Sequence, residues 1–260
     1  MIKTFFDNLI YFFILCVIIL FVSCKTDNPI SATEDILSEH ISSTHFEYFY
    51  SKSDNSPIDT AWQEKYYSWL ISELNVTLVN KLEFFKYRDI DHLERVTGKR
   101  TNGFAEMGTY KFNTIWTIDN HECVHSVVVN LIGHPPALFN EGIAVAHQAL
   151  PVDKKFVPGW NGQDFNLLAK NFKKNGELPP LDDLLGYLSF WNYNSNLTYS
   201  VSGSFVRYII NQYGIQKLKD FYKTVRFETP KDSTKLQFKK IYNFTLDSAW
   251  QEWNNFISKY

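Results

Sequence analysis

The chain has 260 residues, 45% hydrophobic and 21% charged, with a formal net charge of −2, a balance that suits one globular domain or at most two. It excludes a dedicated nucleic-acid binder, which would carry a strong excess of Lys and Arg. Aromatic residues at 17% against 11 Gly and 9 Pro argue against disorder or a fibrous repeat, and the 3 cysteines, Cys16, Cys24 and Cys123, are too few and too scattered for a disulfide framework.

From Leu9 to Val22 the chain runs without a charge, preceded by Lys3 and followed by Ser23-Cys24-Lys25. At about 1.5 Å per helical residue this run falls short of the roughly 30 Å hydrocarbon core, so it reads as a signal peptide rather than a spanning helix. Phe21-Val22-Ser23-Cys24 resembles the lipobox of bacterial lipoproteins, with Phe21 where that box usually has leucine. The resemblance implies removal of residues 1–23, acylation of Cys24, and a domain held to a membrane of the bacterial cell envelope, outside the cytoplasm. Cys16 leaves with the signal. Residues 24–43, polar with Pro29 and scattered Ser, Thr, Asp and Glu, read as a tether.

Thr44 to Tyr50 alternates polar and aromatic residues, and Lys81 to Tyr87 is a second β-rich run. Between them Trp62, Tyr66, Trp69, Leu70 and Leu74 recur at helical spacing over Asp59 to Asn75, and Asp89 to Thr97 starts acidic as a short helix does. Gly98 to Gly108 holds turn residues, and Tyr110, Phe112, Thr114 and Trp116 alternate along a further strand, expected at the edge of the sheet. Beyond residue 120 the periodicities turn helical, predicting helices near 121–131, 136–149, 163–174, 197–213, 214–226 and 246–258. Strands first and helices second argue α+β: an N-terminal mixed β-sheet with helices, then a mainly α-helical C-terminal subdomain, together spanning 44–260.

His121-Glu122-Cys123-Val124-His125 is an HExxH sequence. On a helix the two imidazoles stand one turn apart on one face, where both can reach one zinc ion, and Glu122, one step round, can reach a water beside it. Asp119 or Asn120 can cap this helix, Val124, Val127, Val128 and Leu131 supply its buried face, and Cys123 points away from the metal side as a small buried residue. A catalytic zinc needs a third protein ligand. The extended HExxHxxGxxH pattern is excluded, because Val128 and Leu131 stand where it needs Gly and His. A glutamate from a following helix is offered by Glu141, in the second turn of a segment opened by Pro135-Pro136, with Gly142 and Ala144 small enough for a close approach to the first helix.

With HExxH followed by Glu141-Gly142-Ile143-Ala144, the sequence resembles the gluzincin metallopeptidases, in particular the peptidase MA-like group. That resemblance implies a thermolysin-like catalytic domain, one zinc ion on His121, His125 and Glu141, Glu122 as general base, and a peptide or protein as substrate. Downstream, Tyr199-Ser200-Val201-Ser202-Gly203-Ser204 looks like the family's tyrosine-bearing helix. Tyr199 is then the candidate to hold the oxyanion, with Tyr193 in reserve, and the helix of Leu246 to Ile257 carries Trp250 and Trp253 as core anchors. Gly103-Phe104-Ala105-Glu106-Met107 does not reproduce the Gly-x-Met-Glu-Asn segment of the gluzincin aminopeptidases, which favours an endopeptidase. Val145 stands where an acid one turn after Glu141 could orient a ligand, so that support must come from elsewhere. His134 and His147 are expected as partly exposed side chains. The rival reading is an inactive binding or structural lipoprotein on the same scaffold; the oligomeric state is not legible.

Overall fold

The computed structural model describes residues 37–152 and 155–260, so the expected signal peptide, Cys16, Cys24 and most of the tether lie outside the described residues. Among the described residues no helix is long and apolar enough to cross a membrane. The architecture is mixed α and β, with the strands concentrated in the first half and helices filling the second.

Five short strands make one sheet: β1 (Glu39–Ser42), β2 (Phe46–Tyr50), β3 (Leu82–Lys86), β4 (Gly103–Glu106) and β5 (Lys111–Thr114), in the order β1-β2-β3-β5-β4. The three central strands are parallel, and β1 and β4 lie antiparallel at the two edges. Alternation sets the faces: Phe46, Tyr48, Leu82, Phe84 and Phe112 are buried, while Phe49 and Phe85 stack on the other face at 4.6 Å. Two expectations change here. The strand read over Tyr110–Trp116 is internal, paired on both sides, and the edge beside the helices is β4, inside the stretch read as turns. β1 falls within the expected tether, which therefore ends before Glu39.

Parallel β2 and β3 are joined through helix α1 (Thr60–Leu74), capped by the Asp59 carboxylate on Trp62 N–H and closed by Asn75 in the left-handed region at φ 49°. Helix α2 (Ile90–Thr97) follows β3. Helix α3 (Asn120–Leu131) packs on the sheet at β4 and β5, and its buried Cys123, Val124, Val127 and Val128 make it the seam between the two halves. Helix α4 (Ala137–His147) is buried along its whole length. Where helix was expected to continue to residue 149, the chain turns into a two-stranded hairpin, β6 (Ala149–Val152) and β7 (Lys155–Pro158).

Helices α5 (Phe165–Lys174), α6 (Leu181–Leu185), α7 (Ser195–Tyr213), α8 (Ile215–Tyr222), α9 (Lys231–Tyr242) and α10 (Leu246–Lys259) complete the chain. α7 is the spine of this half and lies against α4, α5, α8 and α10. Trp253 is fully buried and donates its indole N–H to Ser204 Oγ at 2.9 Å, and Trp250 packs on Phe205, so both tryptophans anchor the core as expected.

Candidate metal centre

Asp119 starts the site. Its carboxylate accepts from Glu122 N–H at 3.0 Å and fixes the first turn of α3, so that His121 and His125 rise from one face. Their Nε2 atoms stand 3.1 Å apart, and Glu141 Oε2, from the second turn of α4, lies 3.2 Å from the first and 3.3 Å from the second. Two imidazole nitrogens and one carboxylate oxygen thus meet at a point where a cation can be held, and all three residues are largely buried.

Close packing sets this convergence. A Cβ on Gly142 would come 2.8 Å from the Ser202 carbonyl oxygen, and one on Gly203 would come 2.3 Å from Val145 Cγ1, so α4 and α7 touch backbone to backbone. The smallness of Gly142 therefore serves α7, not the approach to α3 that the sequence suggested. On the other side a Cβ on Gly103 would meet Glu122 Cγ at 2.9 Å, so β4 lies directly over the Glu122 side chain.

Gln148, one residue past α4, supplies the support that Val145 does not. Its Nε2 donates to the Gly159 carbonyl at 2.8 Å, which leaves Oε1 to accept from His121 Nδ1 at 2.8 Å. When His121 gives up its second proton, this bond keeps the remaining one on Nδ1 and leaves a lone pair at Nε2. Asn140 donates from Nδ2 to Glu141 Oε1 at 3.1 Å and leaves Oε2 turned to the imidazoles. Neither residue stands out in the sequence, since nothing local marks an Asn or Gln as facing a ligand. Trp160 was missed too. It sits at the start of a Trp160-Asn161-Gly162-Gln163 turn, with Asn161 at φ 49° and Gly162 at φ 74°, and the Asn-Gly pair is the one local signal that could mark it. Its ring lies 4.7 Å from that of Tyr199 and 6.2 Å from His121.

The electrostatics favour a positive charge at the centre. Burial works against the imidazolium of His121, but the Glu141 hydrogen bond and the charges of Glu122 and Glu141 overcome it and raise its pKa to about 9. For Glu141 the sign is opposite: burial works against the carboxylate, and the two imidazoles hold its pKa far below the usual range. Burial pushes Glu122 up to about 7, with Asp119 and Glu141 adding to the rise.

Tyr199 stacks on His121 with ring centres 5.6 Å apart, and burial with the nearby Glu141 and Glu122 keeps its hydroxyl protonated. Tyr193, the reserve candidate, is turned elsewhere and donates to Asp183 Oδ2 at 2.5 Å. His134 stacks on Phe227 at 4.6 Å, and both line a cavity of about 300 Å³ that also holds His121, His125 and Glu141, with Phe104, Met107 and Val129. His147 is fully buried, contrary to its expected exposure, and donates from Nδ1 to the Ile143 carbonyl at 2.9 Å. Cys123 is buried as expected, and burial raises its thiol far out of the reactive range. No protein-family model matches the sequence, and no curated protein matches it.

Proposed function

We propose that the chain is a zinc-dependent metallopeptidase with a thermolysin-like, gluzincin-type catalytic domain, held to the bacterial cell envelope through a lipid on Cys24. The observation that carries the reading is the meeting of His121 Nε2, His125 Nε2 and Glu141 Oε2 at mutual separations of 3.1, 3.2 and 3.3 Å. Ligands bonded to a tetrahedral zinc ion at about 2.0–2.2 Å lie about 3.3–3.6 Å from one another, so these three atoms fit three corners with little movement. Two nitrogens and one oxygen are also the donor set zinc takes in catalytic sites. When bound, the ion polarises a carbonyl and lowers the pKa of water toward about 7.

The chain's own groups do the rest. Gln148 and Asn140 hold His121 and Glu141 in the geometry that binds the ion. Glu122 takes the proton of the attacking water on its carboxylate and delivers it to the leaving amine nitrogen. The Tyr199 hydroxyl donates to the carbonyl oxygen as charge develops there. β4, an edge strand lying over Glu122, offers backbone N–H and C=O groups to an extended peptide. The test is metal analysis and peptide digestion by the chain from Lys25 on. Wild type is expected to hold about one zinc ion and to cleave peptides. Glu122→Gln should keep the metal and lose about 10²–10⁴-fold in kcat. Full activity in that variant overturns the assigned base, and a metal-replete wild type that cleaves nothing supports the inactive scaffold instead.

A further inference from the structure

A second cavity, of about 550 Å³, has His121 in its wall, as the first does, and Gln148 beside it. Its apolar side is the outer face of the β6–β7 hairpin, where Leu150 and Val157 pair across the strands beside Val152. These three side chains are 52%, 46% and 51% exposed, whereas Phe156 on the opposite face packs against Trp62, Tyr66 and Trp69. The hairpin is therefore anchored by one face and presents an uncovered apolar face to the cavity.

The remaining wall is rich in carboxamides: Asn120, Gln148, Asn161, Gln163, Asn166 and Asn211. Asn120 Oδ1 is buried without a partner, and the side chains of Gln163 and Asn211 make no hydrogen bond among the described residues. Three of the charged side chains there are held by contacts within the fold. Arg207 pairs with Glu73 at 3.0 Å, Asp164 caps α5 and accepts from the Tyr260 hydroxyl at 2.6 Å, and Asp119 caps α3. An occupant that fits these walls is apolar along one side and able both to donate and to accept hydrogen bonds along the other. An extended main chain alternates N–H and C=O in the way carboxamides answer, and an acyl chain offers neither.

We infer that this cavity seats an apolar stretch of polypeptide flanking the bond to be cut, with its side chains on the hairpin face and its backbone on the carboxamides. The inference rests on the metallopeptidase reading and names its substrate class: extended polypeptide with apolar residues to one side of the cleaved bond.

The experiment is fluorescence anisotropy of a labelled ten-residue peptide of Leu, Val and Ala, titrated with the full chain as zinc-loaded Glu122→Gln and as zinc-free wild type. A second peptide carries Asp at alternate positions. The apolar peptide is expected to bind at least tenfold tighter than the acidic one. Leu150→Asp and Val157→Asp should each weaken it by about tenfold or more with zinc content unchanged, the scale of uncovering one apolar side chain. Leu150→Ser serves as the milder variant should either Asp disturb the hairpin. Equal binding by the hairpin variants, equal binding of the acidic peptide, or tighter competing binding of a long-chain acyl probe overturns the inference. Hairpin-dependent peptide binding in a chain that takes no zinc and cleaves nothing leaves the cavity assignment standing and removes the metallopeptidase reading. Zinc-dependent cleavage with no effect of the hairpin variants does the reverse.

Discussion

Gln148 is held at both ends of its amide, by His121 Nδ1 and by the Gly159 carbonyl, each at 2.8 Å. The second bond decides which end faces the histidine, and through it which ring nitrogen of His121 is free to bind a metal. Gln148→Leu removes the acceptor, so His121 gains freedom to rotate and to move its proton to Nε2. Zinc affinity, measured by competition with a chelator of known strength, is expected to fall about 10–100-fold while the helical circular dichroism is unchanged. Gln148→Glu keeps an acceptor for Nδ1 but loses the donor to Gly159, so it should retain most of the affinity and loosen the Trp160 turn, read as a change in tryptophan fluorescence. A Leu variant with wild-type affinity overturns the role.

At the scale of elements, the contact between α4 and α7 places Glu141 against α3. Alanine has a helix propensity about 1 kcal/mol better than glycine, so on local grounds Gly142→Ala would stabilise α4. The Ser202 carbonyl oxygen, 2.8 Å from where that methyl would stand, forces α4 away from α7 instead. Urea unfolding of the metal-free chain is expected to show a net loss of about 1–3 kcal/mol, with weaker zinc binding because Glu141 moves with its neighbour. A gain in stability would show that the helices part without cost. This contact also explains which parts were legible in advance. His121, Glu122, His125 and Glu141 lie at helical spacing within two adjacent segments, so local periodicity is enough to find them. The hairpin was hidden because its strands have four residues each and carry Pro151 and Pro158, which break the alternation. β1 and β4 are as short, and α9 buries only Thr234, Phe238 and Tyr242, a stripe too narrow to read among its Lys and Ser residues. Gln148 and Trp160 act only through contacts the hairpin creates.

The sheet half and the helical half meet around the end of α4, and the meeting point contains a titratable group. Tyr66 of α1 donates to the His147 carbonyl oxygen at 2.9 Å, and the His147 ring lies against Trp69 of the same helix. No part of that imidazole reaches solvent. Burial lowers its pKa to about 4, against the Ile143 carbonyl, which accepts its Nδ1 proton. In the unfolded chain the same group titrates near its ordinary value of about 6.5. Above that pH both states carry a neutral ring and the residue adds no pH dependence. Between about 6.5 and 4 the unfolded chain binds a proton that the folded chain refuses, so stability falls with pH by about 3 kcal/mol across the window from this residue alone. Glu122 of α3, raised to about 7, also changes protonation across this window, so the informative quantity is a difference between two proteins. Urea unfolding in chelator at pH 7.5, 6.0, 5.0 and 4.5, wild type beside His147→Leu, should give a shallower decline in the variant by up to that amount, whatever its absolute stability. Parallel declines would mean that His147 takes its proton in the folded chain as readily as in the unfolded one.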